Sequence, residues 1–141
     1  PGRMVEKINE FLSGTSQPLP ATKGQTALCI LESLAMTYRY YTENLEKLLG
    51  RRIDVIHLIG GGVKDVNLCR FTASVTGRKV TAGPVEATAM GNIAVQLIAL
   101  GVVRDVSEAR GLSDDLKVYT PENPELWEEK YRKYLAIKGR M

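Results

Sequence analysis

The longest regular pattern in the chain runs from Thr22 to Gly50. Ala27, Ile30, Leu31, Leu34, Ala35, Tyr38, Leu45, Leu48 and Leu49 recur at steps of three and four, which gathers side chains on one side of a helix. Thr22 and Gln25 have the T-x-x-Q form of a capping box, which satisfies the first unpaired N–H groups. Gly50 is placed to end the helix in a left-handed cap. At ~1.5 Å per residue this helix would be about 40 Å long. Arg51 and Arg52 follow, where positive charge complements the helix dipole.

Shorter patterns fill the rest. Residues 1–12 read as a helix with Met4, Ile8, Phe11 and Leu12 on one face, and Pro1 suits the first helical position. Residues 13–21 carry Gly14, Pro18 and Pro20 and no apolar period, as a loop does. Ile53–Ile59 is β-rich and apolar on both faces towards its end, as a buried parallel strand is. Gly60-Gly61-Gly62 stops it. Val66, Cys69 and Ala73, with Leu68, Phe71 and Val75, then predict a helix ended by Gly77. Residues 79–82 predict a second strand, stopped by Gly83-Pro84. Residues 86–100 are apolar nearly all round, which predicts a buried helix. Asp105 and Glu108 form a second capping box over a short helix near 106–110. Residues 111–124 read as a polar linker. Leu126, Trp127, Tyr131, Tyr134 and Leu135 lay a narrow apolar stripe along a last helix.

This order is an α/β layering. Two parallel strands with flanking helices form an incomplete sheet, with open edges and unpaired backbone groups. The expected fold is therefore part of a larger α/β domain.

Composition narrows the function classes. Hydrophobic residues at 44% against 25% charged suit a folded domain rather than a disordered chain. The net charge of +3 comes without a basic stripe interleaved with aromatics, so no nucleic-acid partner is expected. No apolar run approaches the ~18 residues of a membrane span, and no signal-peptide pattern is readable. No membrane partner is expected, and the cytoplasm is the default location. Cys29 and Cys69 lie in helical apolar patterns and read as reduced core residues. With His57 they lack metal-ligand spacing, so no metal site is expected.

The one site-like feature is the junction of strand, Gly60-Gly61-Gly62 and helix. Glycines let the chain turn sharply and let a ligand approach the backbone. The helix that follows directs N–H groups and partial positive charge at that point. A nucleotide or another anion fits. Gly60–Asp65 matches neither G-x-G-x-x-G nor the P-loop, so a plain tight turn explains the pattern equally well. Other single residues have structural readings. Glu86 would cap or charge a helix N-terminus, and Gly91 would permit close helix packing. His57 reads as a core or surface residue, Glu32 as either hydrogen-bonded or solvated, and Trp127 as a packing anchor. No nucleophile with an adjacent base is readable, nor an acidic pair beside glycine-rich phosphate loops. No catalytic residue is expected in this chain.

Three stretches resemble the FGGY group of carbohydrate kinases. Cys29–Tyr40 (CILESLAMTYRY) is similar to the long helix of that group, and Gly50–Gly62 (GRRIDVIHLIGGG) to the strand and adenosine loop after it. Thr76–Gln96 carries the phrase AGPVEAT-x-x-GN-x-x-x-Q, typical of the rhamnulokinases within the group. The likeness covers 22–103 well and 1–21 loosely. It implies an actin-like fold, in which two RNase-H-like domains flank a cleft that holds ATP. It also implies ATP-dependent phosphorylation of L-rhamnulose to L-rhamnulose 1-phosphate, with Mg²⁺. Residues 1–141 would be the C-terminal part of the second, nucleotide-side domain, with 111–124 linking to a C-terminal helix. Gly60, Gly61 and Gly62 match the adenosine loop, Gly61 foremost. Asp65 stands where the family usually has an asparagine near the adenine, and a carboxylate accepts from the adenine amino group but cannot donate. Ser74 stands where an aspartate is common. The family's phosphate loop, sugar contacts and catalytic aspartate, which would deprotonate the sugar hydroxyl, would lie upstream of Pro1. L-rhamnulose would be bound mainly there, and this chain alone is expected to be inactive. Self-association along the open sheet edge is a further expectation.

Other functions stay open beside this one. They are a kinase of another ketose or polyol in the same group, and a non-catalytic nucleotide-binding or scaffold module. A dinucleotide-binding oxidoreductase rests only on the strand–glycine–helix order, and its glycine spacing ranks it last.

Overall fold

Thr22 sits in extended backbone, and its side-chain oxygen accepts the Gln25 N–H at 3.2 Å. The Gln25 side chain reaches back one residue further than expected and accepts the Ala21 N–H at 2.6 Å. Helix α2 then runs Lys23–Leu49, and Gly50 closes it at φ 65°. The computed structural model describes residues 2–111 and 116–139. Helix α1, Met4–Gly14, begins three residues later than the sequence pattern suggests, with Arg3 at its cap. Pro1 lies outside the described residues.

The predicted strand–helix–strand unit is present. Strand β1 is Val55–Leu58, helix α3 is Val66–Thr76 and strand β2 is Lys79–Ala82. The strands pair in parallel, from Val55 opposite Lys79 to Leu58 opposite Ala82. The expectation of only two strands needs correction. Strand β3, Lys117–Tyr119, lies within the expected linker and pairs antiparallel with β2, giving the order β1-β2-β3. Residues 112–115 of that linker lie outside the described residues. Helices α4 (Ala87–Ala99), α5 (Val106–Arg110) and α6 (Pro124–Lys138) complete the chain. As expected, Asp105 caps α5 by accepting the Glu108 N–H at 2.9 Å. Glu108 in return accepts the Arg104 N–H.

The core lies where α2, α3 and α6 meet. Ala35, Met36, Val75, Trp127 and Tyr131 form it, with Phe71, Tyr40 and Tyr134 packed around. Trp127 is the anchor its position suggested, its ring centroid 5.1 Å from that of Phe71. Polar groups at the margin are paired. The Tyr131 hydroxyl donates to Glu43 at 2.8 Å, and the Arg39 guanidinium lies over the Tyr131 ring while bonding the Val75 carbonyl. Glu32 accepts from Lys130 at 2.6 Å and so joins α2 to α6. Thr72 and Thr76, both buried in α3, return their hydroxyls to carbonyls four residues back, leaving no unmet donor there. Ser74, where the family resemblance leads one to look for aspartate, is buried and accepts the Glu122 N–H at 3.1 Å, fastening the stretch before α6.

Two expectations about α4 fail. None of its residues is buried, because α5 is the main element packed on it among the described residues. Close packing at Gly91 is not found either, since a Cβ there would meet nothing within 4 Å. The cysteines are free, Cys69 buried and Cys29 half-buried.

Candidate functional site

The glycine turn stands at the C-terminal end of the parallel strands, the side on which open α/β sheets bind ligands. Gly60 has φ 79° and ψ −164°, a region that only glycine occupies without strain. Gly61–Lys64 form one 3₁₀ turn, closed by the Val63 N–H on the Gly60 carbonyl and the Asp65 N–H on the Gly62 carbonyl, both 3.2 Å. A Cβ at Gly60 or Gly61 would point into open space, whereas one at Gly62 would lie 3.9 Å from Leu68. The outer two-thirds of the turn is therefore backbone bare to a ligand.

Asp65 has a second task that the sequence did not announce. Its carboxylate accepts the Leu68 N–H at 3.0 Å and caps α3. The four candidate residues are thus brought together, with Asp65 already engaged through one oxygen. Cys69 lies directly beneath, its Sγ 3.7 Å from the Val63 carbonyl. Burial pushes its thiol up, and the Asp65 charge adds to that, so it behaves as a core thiol.

Sequence reasoning missed the neighbour of the turn. The Gly60 N–H donates to the Pro84 carbonyl at 3.2 Å, and the Gly83 N–H donates to the Leu58 carbonyl at 2.9 Å. The Gly83–Pro84 loop, whose peptide is cis, therefore lines the turn on one side. Its signal was a Gly-Pro pair ending β2 level with the glycines ending β1. Glu86 stands at the N-cap of α4, the helix start at which the sequence placed its charge, and its side chain makes no capping bond. His57 is exposed, with Nδ1 2.6 Å from the Thr81 hydroxyl across the strand pair.

A buried clamp holds the unit from behind. Arg78 donates to Glu46 at 2.6 Å, to the Ile53 carbonyl at 2.8 Å and to the Thr76 carbonyl. The Ile53 N–H also donates to Glu46, at 2.7 Å. The Arg78 bonds, and then that N–H, hold the Glu46 carboxyl below its usual range. One guanidinium so joins the end of α2, the entry to β1 and the end of α3.

No cluster of potential metal ligands occurs among the described residues, and no described helix is long and apolar enough to cross a membrane. A cavity of about 790 Å³ lies between α1, α2 and α6, around Phe11, Leu28, Met36 and Tyr134, and shares no residue with the glycine turn. We place the candidate site at the turn, where bare glycine backbone meets the N-terminus of α3.

The architecture is that of the actin-like ATPases. Its layout matches the crystal structure of xylulose kinase from Rhodospirillum rubrum with a TM-score of 0.63 at 21% identity, over 87% of this chain and 26% of that one. Residues 3–100 match the C-terminal domain of the FGGY family of carbohydrate kinases, and the chain belongs to that family. The rhamnulokinase of Bacteroides thetaiotaomicron is 42% identical over 134 residues, which are 93% of this chain and 28% of that protein. The rhamnulokinase of Bacillus subtilis is 39% identical over 126 residues, 87% of this chain and 26% of the relative. The chain thus spans little more than a quarter of these relatives' length.

Proposed function

We propose that this chain is the nucleotide-side portion of an ATP-dependent kinase that phosphorylates L-rhamnulose at its 1-hydroxyl. The observation that carries the reading is the bare glycine turn at the strand ends, in a chain with rhamnulokinase relatives at 42% and 39% identity. Gly60, Gly61 and Gly62 would present backbone to the adenosine, and the N-terminus of α3 would offer its N–H groups. Asp65 would accept from the adenine amino group through the oxygen not engaged with Leu68. ATP with Mg²⁺ supplies the phosphoryl group and the neutralising charge. The residues here bind and orient the nucleotide only. The sugar contacts, the general base and the Mg²⁺ ligands belong, in this reading, to the rest of the nucleotide-side and sugar-side domains. The chain alone would be inactive, and a cytoplasmic location suits its substrates.

The test is an ADP-release assay on the kinase carrying this chain, with L-rhamnulose, L-fuculose, xylulose and glycerol. Fastest turnover of L-rhamnulose supports the reading. Preference for another sugar keeps the family and replaces the substrate. In isolation the chain would self-associate through the open edge of β1, and a clean monomer by light scattering excludes that.

A further inference from the structure

The cavity between α1, α2 and α6 shares no residue with the glycine turn. Its volume of about 790 Å³ lies inside the ~300–1,000 Å³ typical of small-molecule sites. Phe11 on α1, Leu28 and Met36 on α2, and Tyr134 and Ile137 on α6 give it an apolar lining. A ligand can reach that lining from solvent, because Phe11 and Leu28 are each 43% exposed. Apolar side chains around a space this wide lack partner atoms on the open side, and an apolar ligand body would supply them.

The charged groups of the cavity are mostly of one sign. Lys130, Lys133 and Lys138 line it from α6, and among the described residues Glu32 is the one carboxylate in the lining. Three cations against one anion leave a surplus of two positive charges. Glu32 is engaged with Lys130 at 2.6 Å. Lys133 bonds Glu129, which lies outside the lining. Lys138 holds its Nζ 4.5 Å from the centroid of the Tyr40 ring. The two lysines flank Tyr134 and Ile137 on one face of α6, as three- and four-residue neighbours do. We infer that the cavity binds a free medium-chain carboxylate, with its alkyl chain along the apolar wall and its head at Lys133 and Lys138. A neutral apolar ligand would leave both ammonium groups without an anion, and a small anion without a chain would leave Phe11 and Leu28 in water. The inference stands apart from the kinase reading, because it uses none of the residues assigned to the nucleotide.

The test is calorimetric titration of the chain with decanoate, octanoate and decanol. Decanoate binds, and octanoate binds ~15-fold more weakly, since each buried methylene is worth about fourfold in affinity. Decanol, with the same chain length and no charge, binds at least ~10-fold more weakly than decanoate. The double variant Lys133→Gln/Lys138→Gln loses a similar factor for decanoate and keeps its melting temperature, because an exposed ion pair such as that of Lys133 contributes little to stability. Leu28→Trp fills the cavity from an exposed position and abolishes binding, and if it does not fold the lysine variant still decides. Cys29 is half-buried and lines the cavity, whereas Cys69 is buried beneath the glycine turn. Decanoate therefore slows alkylation of Cys29 by iodoacetamide and leaves that of Cys69 as it was. Absence of decanoate binding at millimolar concentration overturns the inference. So does equal affinity for decanol, or an affinity indifferent to the two lysines, because the cavity is then only an apolar surface. Binding that leaves Cys29 unprotected puts the carboxylate elsewhere and overturns it too. The same titration of the kinase carrying this chain repeats the result, and its loss there means that other polypeptide fills the cavity and refutes the proposal.

Discussion

Arg78→Ala is the most informative single change. The Arg78 side chain is 8% exposed and that of its partner Glu46 is 17% exposed. Removing it leaves a largely buried carboxylate without its partner and takes donors from the Ile53 and Thr76 carbonyls. Breaking one side of a buried pair costs ~3–5 kcal/mol. The wetter Glu46 end places this case at about 3 kcal/mol, or ~10 °C in melting temperature for a chain of this size. Urea unfolding followed by circular dichroism reads the loss directly. Acid titration adds a second reading. Glu46 ionises in the folded state below its ordinary 4.5, so the stabilisation is complete above that pH and fades as pH falls through the folded value. Arg78→Ala flattens this fade, and Glu46→Gln removes it. A loss below ~1 kcal/mol, the range of exposed ion pairs, refutes the clamp. An acid slope unchanged in Arg78→Ala refutes it equally.

Gly60→Ala forces a side chain into backbone that only glycine tolerates and costs ~1–3 kcal/mol by thermal unfolding. Gly61→Val meets open space, so it leaves the melting temperature unchanged while calorimetry shows ADP affinity of the whole kinase lowered at least ~10-fold. Asp65→Ala removes the α3 cap and costs ~1 kcal/mol. Asp65→Asn keeps the cap through its Oδ1 but presents a donor NH2 where Asp65 presents an acceptor oxygen, and lowers ADP affinity in the same titration. Trp127→Ala empties the centre of the α2–α3–α6 core and costs ~3–5 kcal/mol, measured by denaturant unfolding.

Local signals carried much of the fold. Thr22, Gly50, Gly77 and Asp105 each state a boundary in their own chemistry, and the structure keeps those boundaries, whereas the β-rich run Ile53–Ile59 narrows to Val55–Leu58. The glycine turn was equally plain, because no other residue suits the Gly60 backbone. What local chemistry could not state was who stands beside whom. Lys117–Tyr119 is three residues long and becomes a strand only by pairing with β2. Asp65 became a cap once α3 began at Val66, and Pro84 became the wall of the turn once β1 and β2 lay parallel. Arg78 carries no mark in sequence of its bonds to α2, β1 and α3.

The apolar pattern of α4 predicted burial, and among the described residues α5 is the main element packed on it, which leaves none of its residues buried. Periodicity reports that a face avoids water, not what will cover it. Sequence by itself thus determined the helices, the caps at Thr22, Gly50, Gly77 and Asp105, and the glycine turn, because those follow from interactions within a few residues. Tertiary structure alone decided the third strand, the clamp behind the turn and the exposure of α4, because each depends on contacts between residues far apart in the chain.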